Sequence, residues 1–143
     1  MQVEEPSSEP DLANIREEWG WVKIGLQEIL EENKHLTWRP EDVYAACVSG
    51  EAALFVAPEG FVVTAIRVDE FTGKKTLFLW AAWAKERGSR NILRYSPFFE
   101  NVARELECTS LETWTQVDGL EPYLRSEGWR LDTRIYTRPV HGQ

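Results

Sequence analysis

The sequence predicts one layered α+β domain, a mostly antiparallel sheet flanked by helices, with elements in the order α-α-β-β-β-α-β-α-β. Three observations carry this expectation. Apolar residues recur at spacings of three and four between Leu12 and Leu30. The period then drops to two across three apolar runs joined by tight turns. Beyond residue 91, helical and extended stretches alternate. A chain of 143 residues that is 43% hydrophobic has the length and the apolar surface for a single core.

The elements follow in order. Residues 1–10, "MQVEEPSSEP", read as a flexible acidic lead-in, and residues 11–143 as the domain. Leu12, Ile15, Trp19, Val22, Leu26, Ile29 and Leu30 form the apolar stripe of an amphipathic helix with acids on its other face. Gly20 and Gly25 within it cost about 1 kcal/mol each against Ala, which suggests close packing or a bend. Pro40 suits the first turn of a short second helix, "PEDVYAACVSG", closed by Gly50.

Next come "EAALFVAPEG", ending in a Pro-Glu-Gly turn, "FVVTAIRVDEF", and, after the turn "TGKK", the strand "TLFLWAAWA". This is an antiparallel meander. In its third strand Leu77, Leu79, Ala81 and Trp83 are expected on one face, with Phe78, Trp80, Ala82 and Ala84 on the other. Both sets are apolar, so Thr76–Ala84 is expected to be central and covered on both sides. A basic turn follows. Helix then runs from Ile92 to Leu106, or from Ser96 if Pro97 takes the first turn, with Phe98, Phe99, Val102, Ala103 and Leu106 inward. "TSLETWTQ" reads as a strand, "VDGLEPYLRSEGW" as a short helix stopped by Gly128, and "RLDTRIYTRPV" as the last strand.

Charge and residue usage narrow the function. Residues 1–32 hold nine acids against Arg16 and Lys23, a net −7, which leaves −1 of the total −8 for the rest. Such a chain repels nucleic-acid phosphates. The acidic segment instead suits a protein partner with a basic surface, or it is a solvated face. No apolar run reaches the length of a membrane span. The N-terminus lacks the apolar core of a signal peptide, so secretion is not expected. Cys47 and Cys108 show no metal-ligand spacing and read as reduced thiols, and with only His35 and His141 no metal site is expected.

The element order over about residues 11–138 resembles the Gcn5-related N-acetyltransferase (GNAT) fold. The clearest local likeness is the closing segment, a short helix followed by Gly128-Trp129 and a run with Tyr136, which is similar to the family's "Y-x-x-x-G-F". The chain also resembles small GNAT-like proteins of tailed bacteriophages, some of them virion components. The resemblance implies acetyl-CoA or CoA as ligand. Its pyrophosphate would lie on the turn Lys85-Glu86-Arg87-Gly88-Ser89-Arg90, where backbone N–H groups and Arg87 and Arg90 can meet phosphate. One glycine stands in that turn, and Arg90 occupies the place of a small residue. As in the family, a bulge in the third strand would free backbone groups for the pantetheine arm near Ala82 and Trp83; plain core packing explains the same residues. The family's general-acid tyrosine falls on Leu124. Tyr123, one residue earlier, sits about 100° away around a helix and is the nearest candidate. Asp69, Glu70 and Glu112 are the candidates for a general base.

Two readings result. The first is a phage-type, non-catalytic binding or assembly module, a virion component or a protein of the host cytoplasm, meeting phage structural proteins through its acidic N-terminal segment. The second is an active acyl-CoA-dependent N-acyltransferase. An acidic antagonist of a host protein is a further alternative.

Overall fold

The computed structural model describes residues 9–86 and 91–140. The first departure from the expected order lies at the start. Asp11–Ala13 form a short strand, β1, antiparallel to β2 (Ala52–Ala57), and Leu12 is 71% exposed there instead of joining a helical stripe. The cause is Asn14. Its backbone is extended and its side-chain carbonyl accepts the Arg16 N–H at 2.9 Å, so the helix α1 begins at Ile15 and runs to Glu32. The residues before that cap satisfy their backbone groups against β2.

The rest of the stripe packs as its spacing requires. Ile15, Val22, Gly25, Leu26 and Ile29 are buried. Gly25 permits the closest approach in the layer, since a Cβ there would stand 2.6 Å from Phe61 Cε2 and 2.9 Å from Trp83 Cδ2. Nothing lies within 4 Å of a Cβ at Gly20. Two acids of this helix are tied down: Trp21 Nε1 donates to Glu18, and Trp83 Nε1 donates to Glu28 at 2.9 Å. The short helix α2 (Pro40–Ser49) starts with Pro40 in its first turn, and the Arg39 N–H donates to Asp42 Oδ2 at 2.8 Å. It ends at Gly50, whose φ of 87° suits glycine.

Strands β2, β3 (Gly60–Val68) and β4 (Lys75–Ala84) form the expected meander inside a five-stranded sheet of order β1-β2-β3-β4-β5. Three pairings are antiparallel, and β4 runs parallel to β5 (Ser110–Glu112). At Gly60 a Cβ would lie 1.8 Å from the Trp83 carbonyl oxygen, so glycine is what lets β3 approach β4 there.

The register between β3 and β4 shifts once. Val63 faces Ala81 and Thr64 faces Leu79, which leaves Trp80 as an extra residue in β4. The bulge changes the expected alternation. Leu77 and Leu79 pack in the cluster of Phe55, Val62, Phe99 and Ala103, under α3 (Ser96–Glu105). Beyond the bulge, Ala81 and Trp83 pack with Trp80 in the other cluster, against α1 and α2. Ala81 and Trp83 therefore do not share the face of Leu77 and Leu79.

The basic turn leads into a 3-10 turn, Asn91–Tyr95, before α3 begins at Ser96 with Pro97 in its first turn. Phe99 and Ala103 are its buried residues, while Leu106 is 40% exposed at the C-cap. A second 3-10 turn (Asp118–Leu120) precedes α4 (Glu121–Ser126), which is joined to α3 when Trp129 Nε1 donates to Ser96 Oγ at 2.9 Å. The expected last strand is a second departure: residues 130–140 form neither helix nor strand and are exposed throughout.

The Gly25 contact is directly testable. Gly25→Val forces a side chain between Phe61 and Trp83 and is expected to lower unfolding free energy by about 1–3 kcal/mol in urea titrations. Gly20→Ala, in open space within the same helix, is expected to raise it by up to about 1 kcal/mol.

Candidate functional site

The site begins where β4 loses its second neighbour. The pairs Thr76↔Ser110, Leu77↔Leu111 and Phe78↔Glu112 complete the ladder with β5. One further link follows, Thr113 Oγ1 donating to the Leu79 carbonyl at 3.3 Å. Beyond it β4 continues past Ala82 with no strand on that side among the described residues. Two causes open the gap. The bulge at Trp80 twists and bends β4. In addition, the Arg67 guanidinium lies 4.3 Å from the Phe78 ring centroid and 4.4 Å from that of Trp114, drawing the chain after β5 across the sheet face. Trp114 is fixed further by its indole N–H, which donates to Glu112 Oε2 at 2.6 Å.

One small residue is exposed at the open edge. Ala82 is exposed, and Ala81 and Ala84 on either side are buried. The Lys85 N–H donates to Glu59 O on the β3 side. Strand alternation then turns the backbone N–H and C=O of Ala82 toward the gap. An extended amide chain laid there meets a donor and an acceptor. Trp83 takes no part by its side chain. Its indole stacks on Phe61 at 5.6 Å and lies against α1. Trp80 stands edge-on to Trp38, with centroids 5.9 Å apart, and walls an open concavity of about 490 Å³ with Ala46, Glu51, Ala52 and Ala65.

At its far end the gap meets Lys85, where the basic run begins. Lys85 is exposed, with its Nζ 5.8 Å from the Trp21 ring centroid. Arg87, Gly88, Ser89 and Arg90 lie outside the described residues. The Tyr95 hydroxyl donates to Glu59 Oε2, which ties the β2–β3 turn to the segment after the basic turn. Nothing in the sequence marked this contact, because its partners are 36 positions apart.

The acid–base candidates are dispersed. Tyr123 lies on α4 with 38% exposure, whereas Leu124 is half-buried. Asp69 caps the β3–β4 turn. The N–H groups of Thr72 and Phe71 hold its carboxyl below the usual aspartate range. Glu70 is exposed in the same turn, and Glu112 accepts from Trp114.

Burial pushes the Cys47 thiol up to about 11, and burial likewise raises that of Cys108. A thiol raised in the folded state stabilises the fold below its unfolded pKa near 9, and that contribution fades as pH climbs toward 11. At pH 8 the Cys47 thiolate population should be about a hundredth of that of an ordinary thiol. Iodoacetamide labelling of the native chain should therefore be slow at this position and reach the ordinary rate in denaturant.

Comparison with solved structures identifies the fold. The chain is similar to a Pyrococcus furiosus protein assigned as an acetyl transferase, at TM-score 0.71 and 17% identity, covering 92% of this chain and 100% of that one. It is similar to an aminoglycoside acetyltransferase from an uncultured soil metagenomic sample, solved with sisomicin, at 0.67 and 11%, over 94% and 96%. A Trypanosoma brucei acetyltransferase matches at 0.60 and 13%, over 92% and 99%. No protein-family profile and no curated protein matches the chain. The architecture is that of GNAT acetyltransferases, a five-stranded sheet flanked by helices. None of these likenesses bears on a phage origin or a place in a virion.

Proposed function

We propose that the chain is an acyl-CoA-dependent N-acyltransferase in which the open edge of β4 holds the amide arm of the acyl donor. One observation carries the reading: the bulge at Trp80 coincides with the point where β4 and β5 separate. A bulge is common in sheets, and so is a short edge strand. Together they present backbone hydrogen-bonding groups to a gap beside the exposed Ala82, which suits a linear amide-containing ligand. The basic turn joins the end of the same strand and suits the diphosphate, with Lys85, Arg87 and Arg90 as its cations. The similarity to acetyltransferases supports the same assignment.

Bound acyl-CoA supplies an activated thioester. The chain's own residues supply position: Ala82 aligns the arm, and the Trp80 wall offers the adjacent concavity to an acceptor amine. Holding two reactants in register is by itself a large source of rate.

Calorimetric titration with acetyl-CoA is expected to give micromolar binding. Ala82→Trp places a large ring on the exposed sheet face beside the gap, where it would overhang a ligand paired with the edge, so it should weaken binding at least tenfold, about 1.4 kcal/mol, with the thermal transition unchanged. Binding equal to that of the unaltered chain would contradict the assignment.

A non-catalytic binding module is the second reading, favoured by Tyr123, which stands exposed while Leu124 holds the inward position. Both readings assign Tyr123 no proton transfer. If transfer is measured, Tyr123→Phe is expected to change turnover less than tenfold, under about 1.4 kcal/mol. A hundredfold loss with the fold intact would make it the general acid.

A further inference from the structure

The turn between β2 and β3 holds its second residue in a narrow range of positions. Ala57 faces Gly60 across the hairpin, so Pro58 and Glu59 alone make the connection. The Pro58 ring fixes its own φ. Gly60 pairs with Ala84 at the end of β4, and the Trp83 carbonyl oxygen is so near that a Cβ on Gly60 would stand 1.8 Å from it. Glu59 is thereby set, half-buried, between the exit of β4 and the segment that leads into α3.

From that place Glu59 binds two points that are distant from it in the chain. Its backbone carbonyl accepts the Lys85 N–H at 2.7 Å, one residue past the last pair of β4. Its carboxylate accepts the hydroxyl of Tyr95, the last residue of the 3-10 turn before α3. Lys85 and Tyr95 bracket the basic run. Lys85, Arg87, Arg90 and Arg94 against Glu86 give residues 85–95 a net +3. One residue of a neighbouring turn therefore fastens this run at both ends. Tying the ends of a loop removes freedom that a ligand would otherwise have to remove on binding.

We propose that Glu59 and Tyr95 are positioning residues for the diphosphate of the acyl donor: Tyr95 holds Glu59, and Glu59 holds Lys85. The proposal rests on the acyl-donor reading. The Tyr95 hydroxyl has a second effect. A free carboxylate beside a cationic run pairs with its cations and competes with a phosphate for them. A neutral donor that occupies the Glu59 carboxylate leaves those cations to the ligand. Lys85 is consistent with this arrangement, being exposed and making no ion pair among the described residues.

The test compares acetyl-CoA with pantetheine, which carries the amide arm without the diphosphate. Each is titrated into the full chain and read at the Ala82 amide resonance. Tyr95→Phe keeps the ring and removes the donor. It is expected to weaken acetyl-CoA at least fivefold and to change pantetheine less than twofold. Glu59→Gln keeps an oxygen that accepts from Tyr95 but carries no charge, so acetyl-CoA should bind it as tightly as the unaltered chain or more tightly. Without ligand, the Lys85 amide should exchange at least tenfold faster in Tyr95→Phe than in the other two chains. Four results would each overturn the proposal while leaving the acyl-donor reading in place: acetyl-CoA affinity unmoved by Tyr95→Phe, an equal loss for both ligands, a loss in Glu59→Gln as large as in Tyr95→Phe, or unchanged Lys85 exchange. An unaltered chain that binds neither ligand would overturn the reading, and this proposal with it.

Discussion

One extra residue in one strand moves every later side chain to the opposite face of a sheet. β4 uses this at Trp80. Before it, Leu77 and Leu79 fill the layer under α3; after it, Ala81 and Trp83 fill the layer under α1 and α2. Without the extra residue Trp83 would point toward α3, away from the space that Gly25 leaves and from the carboxylate of Glu28. Both helical layers, and the gap where β4 and β5 part, depend on this irregularity. The bend costs ladder regularity, which the aromatic packing around it offsets: Trp83 on Phe61, Trp80 against Trp38, and Arg67 between Phe78 and Trp114.

The same packing explains why so many tryptophans serve so small a domain. Most are tied by the indole N–H to a neighbouring group: Trp21 to Glu18, Trp83 to Glu28, Trp114 to Glu112 and Trp129 to Ser96. For Trp21, Trp83 and Trp129 the bond lets a large ring half-bury its apolar body while its polar atom keeps a partner; Trp114 stays 58% exposed. These bonds also take up acids of the N-terminal segment. Glu18 and Glu28 belong to the fold's interior bonding, so the acidic face of α1 is narrower than its charge count suggests. The protein-partner role expected of that segment rests on its other acids and on residues 1–8, which lie outside the described residues.

Much of the architecture was legible in the residues. The stripe from Ile15 to Ile29, the two tight turns and the Pro97 start of α3 each follow from local chemistry, and the structure has them. The errors share a cause: a local pattern that satisfies two rules at once. Leu12 fits the helical spacing, yet Asn14 caps the helix behind it, and the strand β1 draws on β2, far away in the chain. "WAAW" reads equally as a regular buried strand or a bulged one, because tryptophan and alanine suit either face. The expected final strand has a strand's alternation, yet residues 130–140 form no strand and stay exposed, because alternation alone does not supply a partner. The site was legible only through family resemblance. Nothing in the spacing of Ala82 marks it as the residue whose backbone meets the gap; that depends on where β5 stops.

The central claim is that the Ala82 backbone at the open β4 edge holds the amide arm of acyl-CoA. The most direct measurement is the amide resonance of Ala82 in a nitrogen-15 spectrum as CoA is added. Saturable displacement of that resonance, with slowed hydrogen exchange at the same amide, is the expected result. A spectrum in which Ala82 stays unmoved while CoA binds elsewhere on the chain would contradict it.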